Sequence, residues 1–440
     1  MQAPWEHIWS RFRMTMRRDA MQTSITRRSL FHYAGAAALT ATTACVLPKV
    51  ARGEAVSDDM YWDIVRHQFI FPETAVPMNS ANLCPAFRAV ADKVTELSRV
   101  VDYDVSLNNR AQFNDHLRDT RSKVAQQIGA APEEIALVRN TSEANSAITN
   151  GLDFKEGDEI VIWEQNHVTN NEAWDIRARR FGLKVVRVSL PRFPESDEQI
   201  VDLFAKACTG RTKVVSFTEC SNVSGLKLPA KKLAAMARAK GLYCHVDGAQ
   251  SWGASVLNLH DIGCDSFSAS SHKWFMGPKE VGILYVRNGR AREIWPNIIG
   301  YTGEIKVELD LESALKFETL GQRDDAAVAA LGDTADIHTQ IGPERIQTRI
   351  KELAGLLKQG LKEGGATLVT PEDPAMSGGV VVIEVPKQNQ KTVADTMYSK
   401  FGIAASSSGG LRLCPHIYNT RDHITRALDG VTSMRDLIKT

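Results

Sequence analysis

Between about residues 135 and 290, short apolar runs alternate with stretches whose apolar positions recur every three or four residues. The runs at 134–139, 159–164, 184–190, 213–218, 243–246, 266–269 and 282–286 predict strands. The periodic stretches at 166–180, 198–207 and 230–239 predict helices. Continuous apolar strands alternating with helices predict a mostly parallel sheet covered on both faces. Further on, residues 342–361 read as a long amphipathic helix leading into a second unit. That unit has a strand at 379–385, a helix at 392–400 and a last helix from Arg421 onward. The predicted organisation is an arm at 56–80 joining the small unit, a large α/β domain at 81–340 and a small α+β domain at 341–440.

Composition narrows the class without naming a function. The chain has 440 residues, 43% hydrophobic and 24% charged, with a net charge of +1. These are values of an ordinary globular enzyme, and they give no reason to expect a nucleic acid or an acidic surface as partner. No apolar run reaches the roughly 18 residues that span a bilayer. The 7 cysteines are scattered, without the close pairs of a zinc or redox site, so neither a metal centre nor a disulfide framework is expected. Cys220 and Cys244 are expected in core strands.

The N-terminus changes the picture. Arg27 and Arg28 precede an alanine-rich apolar stretch at 33–47, the layout of an export signal of the twin-arginine kind. Cleavage after Ala55 and a natural start at Met21 are expected, with 1–55 as signal and surplus leader. The expected location is the periplasm, with the twin-arginine export machinery as partner.

Candidate chemistry gathers at predicted strand ends. Asp247 ends one strand, and Lys273 follows the next in the polar run Ser-Ala-Ser-Ser-His-Lys-Trp. An acid and a lysine so placed suit pyridoxal phosphate: the lysine forms the Schiff base and the carboxylate keeps a proton on the ring nitrogen. In Asn-Thr-Ser-Glu-Ala-Asn a strand gives way to a helix, whose free N–H groups together with Thr141 and Ser142 suit a phosphate. The same hydroxyls would also serve as simple N-caps. Ser270 and His272 offer further donors. His167 follows another strand, at the edge where open α/β sheets bind ligands, and its imidazole could stack on a flat ring. Gln250 offers an amide three residues after Asp247. Arg412 lies between apolar neighbours, a setting that suits either bidentate carboxylate capture or a structural ion pair.

The motifs Asn-Thr-Ser-Glu-Ala-Asn, Asn-His-Val-Thr-Asn, Ser-Asn-Val-Ser-Gly, Val-Asp-Gly-Ala-Gln and Ser-Ser-His-Lys-Trp resemble those of the class V aminotransferase superfamily, in order and nearly in spacing. The branch they resemble most is that of isopenicillin N epimerase, and the resemblance runs from Tyr61 to the C-terminus. It implies a fold-type I pyridoxal phosphate transferase, with a seven-stranded, mostly parallel sheet and a smaller C-terminal domain. It implies that Lys273 is the Schiff-base lysine and proton shuttle, that Asp247 pairs with the ring nitrogen, Gln250 with the ring hydroxyl, and that His167 stacks over the ring. Thr141, Ser142, Ser270 and His272 would hold the phosphate, Asn222 would lie beside the ring, and Arg412 would bind the substrate carboxylate. The segment containing Asn82 would line the substrate side. Gln322 stands where relatives carry a threonine that reaches the neighbouring subunit's phosphate, so a homodimer with shared sites is implied.

Cysteine desulfurases of this superfamily carry a nucleophilic cysteine shortly before the carboxylate-binding arginine, yet residues 397–411 contain none. The reading is therefore an exported enzyme acting at the Cα of an amino acid or a peptide-borne amino group, by epimerisation or transamination. A carbon–sulfur lyase is the alternative within the class. An inactive binding protein on the same fold is the alternative outside it, and would be colourless.

Overall fold

The computed structural model describes residues 57–300 and 312–438. The expected signal, the start at Met21 and the cleavage point at Ala55 lie outside the described residues.

Seven strands form the central sheet: β1 Ile135–Val138, β2 Glu159–Trp163, β3 Lys184–Val188, β4 Thr212–Thr218, β5 Tyr243–Asp247, β6 Ser266–Ser270 and β7 Gly282–Val286. Their order is β1-β7-β6-β5-β4-β2-β3. The run from β6 to β3 is parallel throughout, and β7 is antiparallel to both of its neighbours. Strands β1, β2, β5, β6 and β7 are buried at every position, as a sheet covered on both faces requires. The edge strand β3 exposes Lys184 and Arg187, charges that deter pairing with another chain. Cys220 lies just beyond β4 rather than within a core strand, although it is buried as expected.

In chain order, the longer α-helices are α1 Asp58–Arg66, α2 Arg88–Tyr103, α3 Gln112–Gln127, α4 Thr141–Gly151, α5 Val168–Phe181, α6 Asp197–Ala207, α7 Ala230–Ala239, α8 Asp325–Ile341, α9 Pro343–Glu363, α10 Gln390–Phe401 and α11 Arg421–Ser433. Helices α2, α3 and α8 have no counterpart in the sequence pattern. Helix α8 packs against both α2 and α3, and most of it is buried despite its small side chains. A Cβ at Gly332 of α8 would stand 2.9 Å from the Thr120 hydroxyl of α3, so small residues there permit close helix contact. Such a helix shows no narrow apolar stripe because it is enclosed over most of its surface.

Toward the C-terminus, β8 Val381–Ile383 runs antiparallel to β9 Leu411–Leu413. Residues of α9, α10 and α11 share one apolar cluster with them. The predicted strand at 379–385 is shortened to its buried centre. Val76 and Pro77 pair in parallel with Ile403 and Ala404, tying the segment before the large sheet to this C-terminal layer.

Candidate active site

The parallel strands deliver their C-terminal ends to one edge of the sheet. Asp247 ends β5, Ser270 ends β6, and His167 follows β2 as the N-cap of α5. Lys273 lies in the turn after Ser270, and Arg412 comes from β9 of the C-terminal layer. These groups feel one another. Burial lowers the pKa of Lys273, Asp247 raises it, and Arg412 lowers it further. Burial also lowers the pKa of His167, with Lys273 and Arg412 adding to the effect and Asp247 opposing it. The sequence-predicted acid, base, imidazole and guanidinium therefore converge.

The lysine turn is fastened at four consecutive carbonyls. His272 O accepts from Cys84 N at 2.8 Å, and Lys273 O accepts from Met276 N at 2.9 Å. Trp274 O and Phe275 O accept from the Nε2 atoms of His416 and His338, each at 2.8 Å. Met276 closes the turn with φ of 54°, a left-handed conformation uncommon for a non-glycine residue. The Nζ of Lys273 has no hydrogen-bond partner among the described residues and is left for a ligand.

Asp247 is buried and accepts from three donors, which leaves carboxylate lone pairs unused. Its Oδ2 accepts from Asn145 Nδ2 at 2.9 Å and Asn170 Nδ2 at 3.5 Å, and its Oδ1 accepts from Ala249 N at 3.0 Å. Sequence reasoning assigned no role to Asn145 or Asn170, although both lie inside the quoted motifs.

The N-cap of α4 is Asn140, whose Oδ1 accepts from Glu143 N at 3.0 Å. Thr141 and Ser142 are thus spared capping duty. Thr141 Oγ1 meets Ser270 Oγ at 2.7 Å, and Ser270 Oγ accepts from Thr141 N at 2.8 Å, while Ser142 is exposed. Burial, with the charges of Lys273 and Lys279, lowers the pKa of His272 to about 4, so it is a neutral donor.

Gln250 braces the surroundings: Nε2 donates to Ala81 O at 3.0 Å and Oε1 accepts from Trp274 Nε1 at 2.7 Å. Its second amide hydrogen stays free. Arg412 Nη1 donates to Asn222 O at 2.8 Å and Nη2 to Asn79 Oδ1 at 2.9 Å. This brings Asn222 to the site through its backbone, and Asn79 is a partner that sequence reasoning did not single out. Asn82 is exposed, with its amide N–H turned back to Asn79 O at 2.9 Å. Gln322 is exposed and contacts Arg110 and the Arg323 carbonyl rather than the lysine group.

Buried polar atoms remain without partners where a ligand would supply them: Arg412 Nε, Asn170 Oδ1 and the Thr218 hydroxyl, the last opposite Asp247 in the sheet. A free amine, a buried carboxylate, an imidazole and hydroxyls at a helix N-terminus fit a flat, phosphate-bearing aldehyde with a basic ring nitrogen.

The chain is similar to known proteins. Residues 85–428 match the family described as aminotransferase class-V. Isopenicillin N epimerase from Streptomyces clavuligerus is 27% identical over 397 residues, spanning 86% of this chain and 99% of that protein. A cysteine desulfurase from Pectobacterium carotovorum subsp. carotovorum is 28% identical over 351 residues, spanning 74% of this chain and 84% of that protein. Among solved structures, C-DES with glycine covalently linked to its PLP cofactor superposes with a TM-score of 0.76 at 20% identity, covering 83% of this chain and 98% of that one. A second C-DES structure, described as a cystine C-S lyase with its product cysteine persulfide, gives 0.74 at 20% identity, covering 82% and 97%. The fold is the fold-type I aminotransferase-like fold, with its mostly parallel seven-stranded sheet. This chain belongs to the class-V aminotransferases, a pyridoxal-phosphate-dependent family.

Proposed function

We propose that this protein is an exported pyridoxal-phosphate enzyme acting at the Cα of an amino acid or a peptide-borne amino group, by epimerisation or transamination. The observation that carries the reading is the convergence of Lys273, Asp247, His167 and Arg412 at one sheet edge, while the six described cysteines are buried or half-buried. Bound pyridoxal phosphate supplies a ring that withdraws electrons from Cα. Asp247 would hold the proton of the ring nitrogen. His167 would stack on the ring. Thr141, Ser142, Ser270 and His272 would hold the phosphate. Arg412 captures the substrate carboxylate, steadied by Asn79 and Asn222. Lys273 takes the Cα proton, and its lowered pKa favours the neutral amine that can do so. A proton returned to the opposite face of Cα would invert the centre, whereas one delivered to the cofactor would transfer the amine. The likeness to isopenicillin N epimerase favours inversion.

The likeness to cysteine desulfurase favours a second reading, a carbon–sulfur lyase. The thiols argue against its persulfide-forming version. Burial raises the pKa of Cys84 and Cys220 to about 12, and also raises those of Cys208, Cys244, Cys264 and Cys414. A thiol kept protonated is a poor nucleophile.

The deciding experiment is proton NMR of the yellow protein in D2O with amino acids and amino-bearing peptides. Loss of the Cα proton signal without a keto product identifies an epimerase. A keto product with bleaching identifies a transaminase. Pyruvate or sulfide from a cysteine conjugate identifies the lyase.

A further inference from the structure

Behind Asp247 lies a buried polar chain that the reaction scheme does not use. Asn145 on α4 presents its amide to Asp247 on one side and to two strand residues on the other. Its Oδ1 is 2.9 Å from His245 Nε2 and also accepts from Ser268 Oγ. On the far side of the imidazole, His245 Nδ1 is 2.8 Å from Ser266 Oγ. Asn145, His245, Ser266 and Ser268 are all buried.

The direction of every bond follows from one fact. Asn145 Nδ2 donates to Asp247 Oδ2, so the amide turns its NH2 to the carboxylate and its oxygen to His245 and Ser268. His245 must then carry its hydrogen on Nε2. Burial lowers its pKa to about 4, so the ring is neutral and Nδ1 is bare. Ser266 therefore donates to Nδ1. The chain reads Ser266 O–H to His245, His245 N–H to Asn145, Asn145 N–H to Asp247, with each donor aimed at the carboxylate. If Asp247 held a proton and donated it, the amide would flip and the hydrogen of His245 would move to Nδ1.

We propose that Asn145 and His245 are positioning residues, forming a one-way hydrogen-bond relay that holds Asp247 charged and aimed at the cofactor's ring nitrogen. The inference rests on the cofactor reading above. Hydrogen bonds to the charged form favour that form, and chains of such bonds polarise one another. The titratable groups facing Asp247 are His245 on its own strand, His167 after β2 and Lys273 after β6, with Arg412 of β9 acting on the last two. Asn170 adds a donor from α5 but leads no further, since its own oxygen has no partner.

The test uses the full chain with 15N-labelled histidine, then the same protein loaded with pyridoxal phosphate labelled at the ring nitrogen. In cofactor-free protein, His245 is expected to show the neutral Nε2–H pattern throughout the neutral range; hydrogen on Nδ1 overturns the relay. In loaded protein, the wild-type ring nitrogen is expected to stay protonated across that range. Asn145→Leu and His245→Phe should let it lose its proton at lower pH, while His245→Gln, which keeps a donor to Asn145, should restore the wild-type titration. An unchanged ring titration in both Asn145→Leu and His245→Phe, with Asp247→Asn shifting it, rejects the relay. A wild-type protein that takes up no cofactor rejects the functional reading instead, and the His245 tautomer still decides this one.

Discussion

His416 donates from Nε2 to the backbone carbonyl of Trp274 at 2.8 Å, bridging 142 positions of sequence. Its Nδ1 accepts from Ile417 N at 2.7 Å, so both ring nitrogens are engaged and the tautomer is fixed. His338 does the same for the next carbonyl, Phe275, with its ring stacked on the Phe275 side chain. Two neutral imidazoles thus brace the turn that carries Lys273.

Acid should loosen that brace. Burial lowers the pKa of His416 to about 3 and that of His338 to about 4, from an ordinary 6.5. The native state keeps both rings neutral, whereas the unfolded chain binds protons below 6.5. Their contribution is therefore whole above that pH and is lost as pH falls toward the native values. Each ring should add about 1.4 kcal/mol per pH unit to the slope of stability in that window. Urea unfolding at a series of pH values checks this. His416→Phe should be less stable at neutral pH and flatter in its pH dependence; an identical slope would show that the ring does not titrate on unfolding.

Lys273→Ala should remove the yellow absorbance and all turnover while leaving the far-ultraviolet circular dichroism unchanged. Turnover above background in this variant would end the assignment of the lysine.

Arg412→Ala should weaken binding of free amino acids by about 2–5 kcal/mol, as expected for removing a buried charge-assisted partner. Asn79→Ala should cost roughly 1.5 kcal/mol and act chiefly on KM, because it removes one hydrogen bond to the guanidinium. Equal binding by wild-type and Arg412→Ala protein would place the carboxylate elsewhere.

Alkylation separates the two chemistries. The six described cysteines are buried or half-buried, and each thiol's pKa is raised. Iodoacetamide at neutral pH should leave turnover intact. Rapid inactivation, with the modified cysteine found at the site by mass spectrometry, would favour desulfurase chemistry.

Much of this arrangement was legible in the sequence because it depends on local chemistry. Asp247 and Lys273 announce themselves as polar groups at the ends of apolar strands, and all seven strands fall within two residues of their expected bounds. What was hidden depends on encounters between distant segments. Arg412 meets Asn79 across 333 positions, and no periodicity records such a pairing. Helix α8 escaped notice because burial over most of its surface leaves Ala and Gly, rather than a narrow apolar stripe, as its signature. His338, His416 and His245 read as isolated histidines until the fold supplies their partners. Capping of α4 by Thr141 or Ser142 was the alternative to phosphate binding; Asn140 is the cap, which leaves the Thr141 hydroxyl to bond Ser270.

The fastening of the lysine turn bears on when the protein becomes competent. Its carbonyls are held by Cys84 from near the start of the described chain, His338 from α8 and His416 from near the end. A chain still emerging from the ribosome lacks the last of these anchors until residue 416 has been made. A chain that stops short of residue 416 would present Lys273 on a turn with one anchor missing.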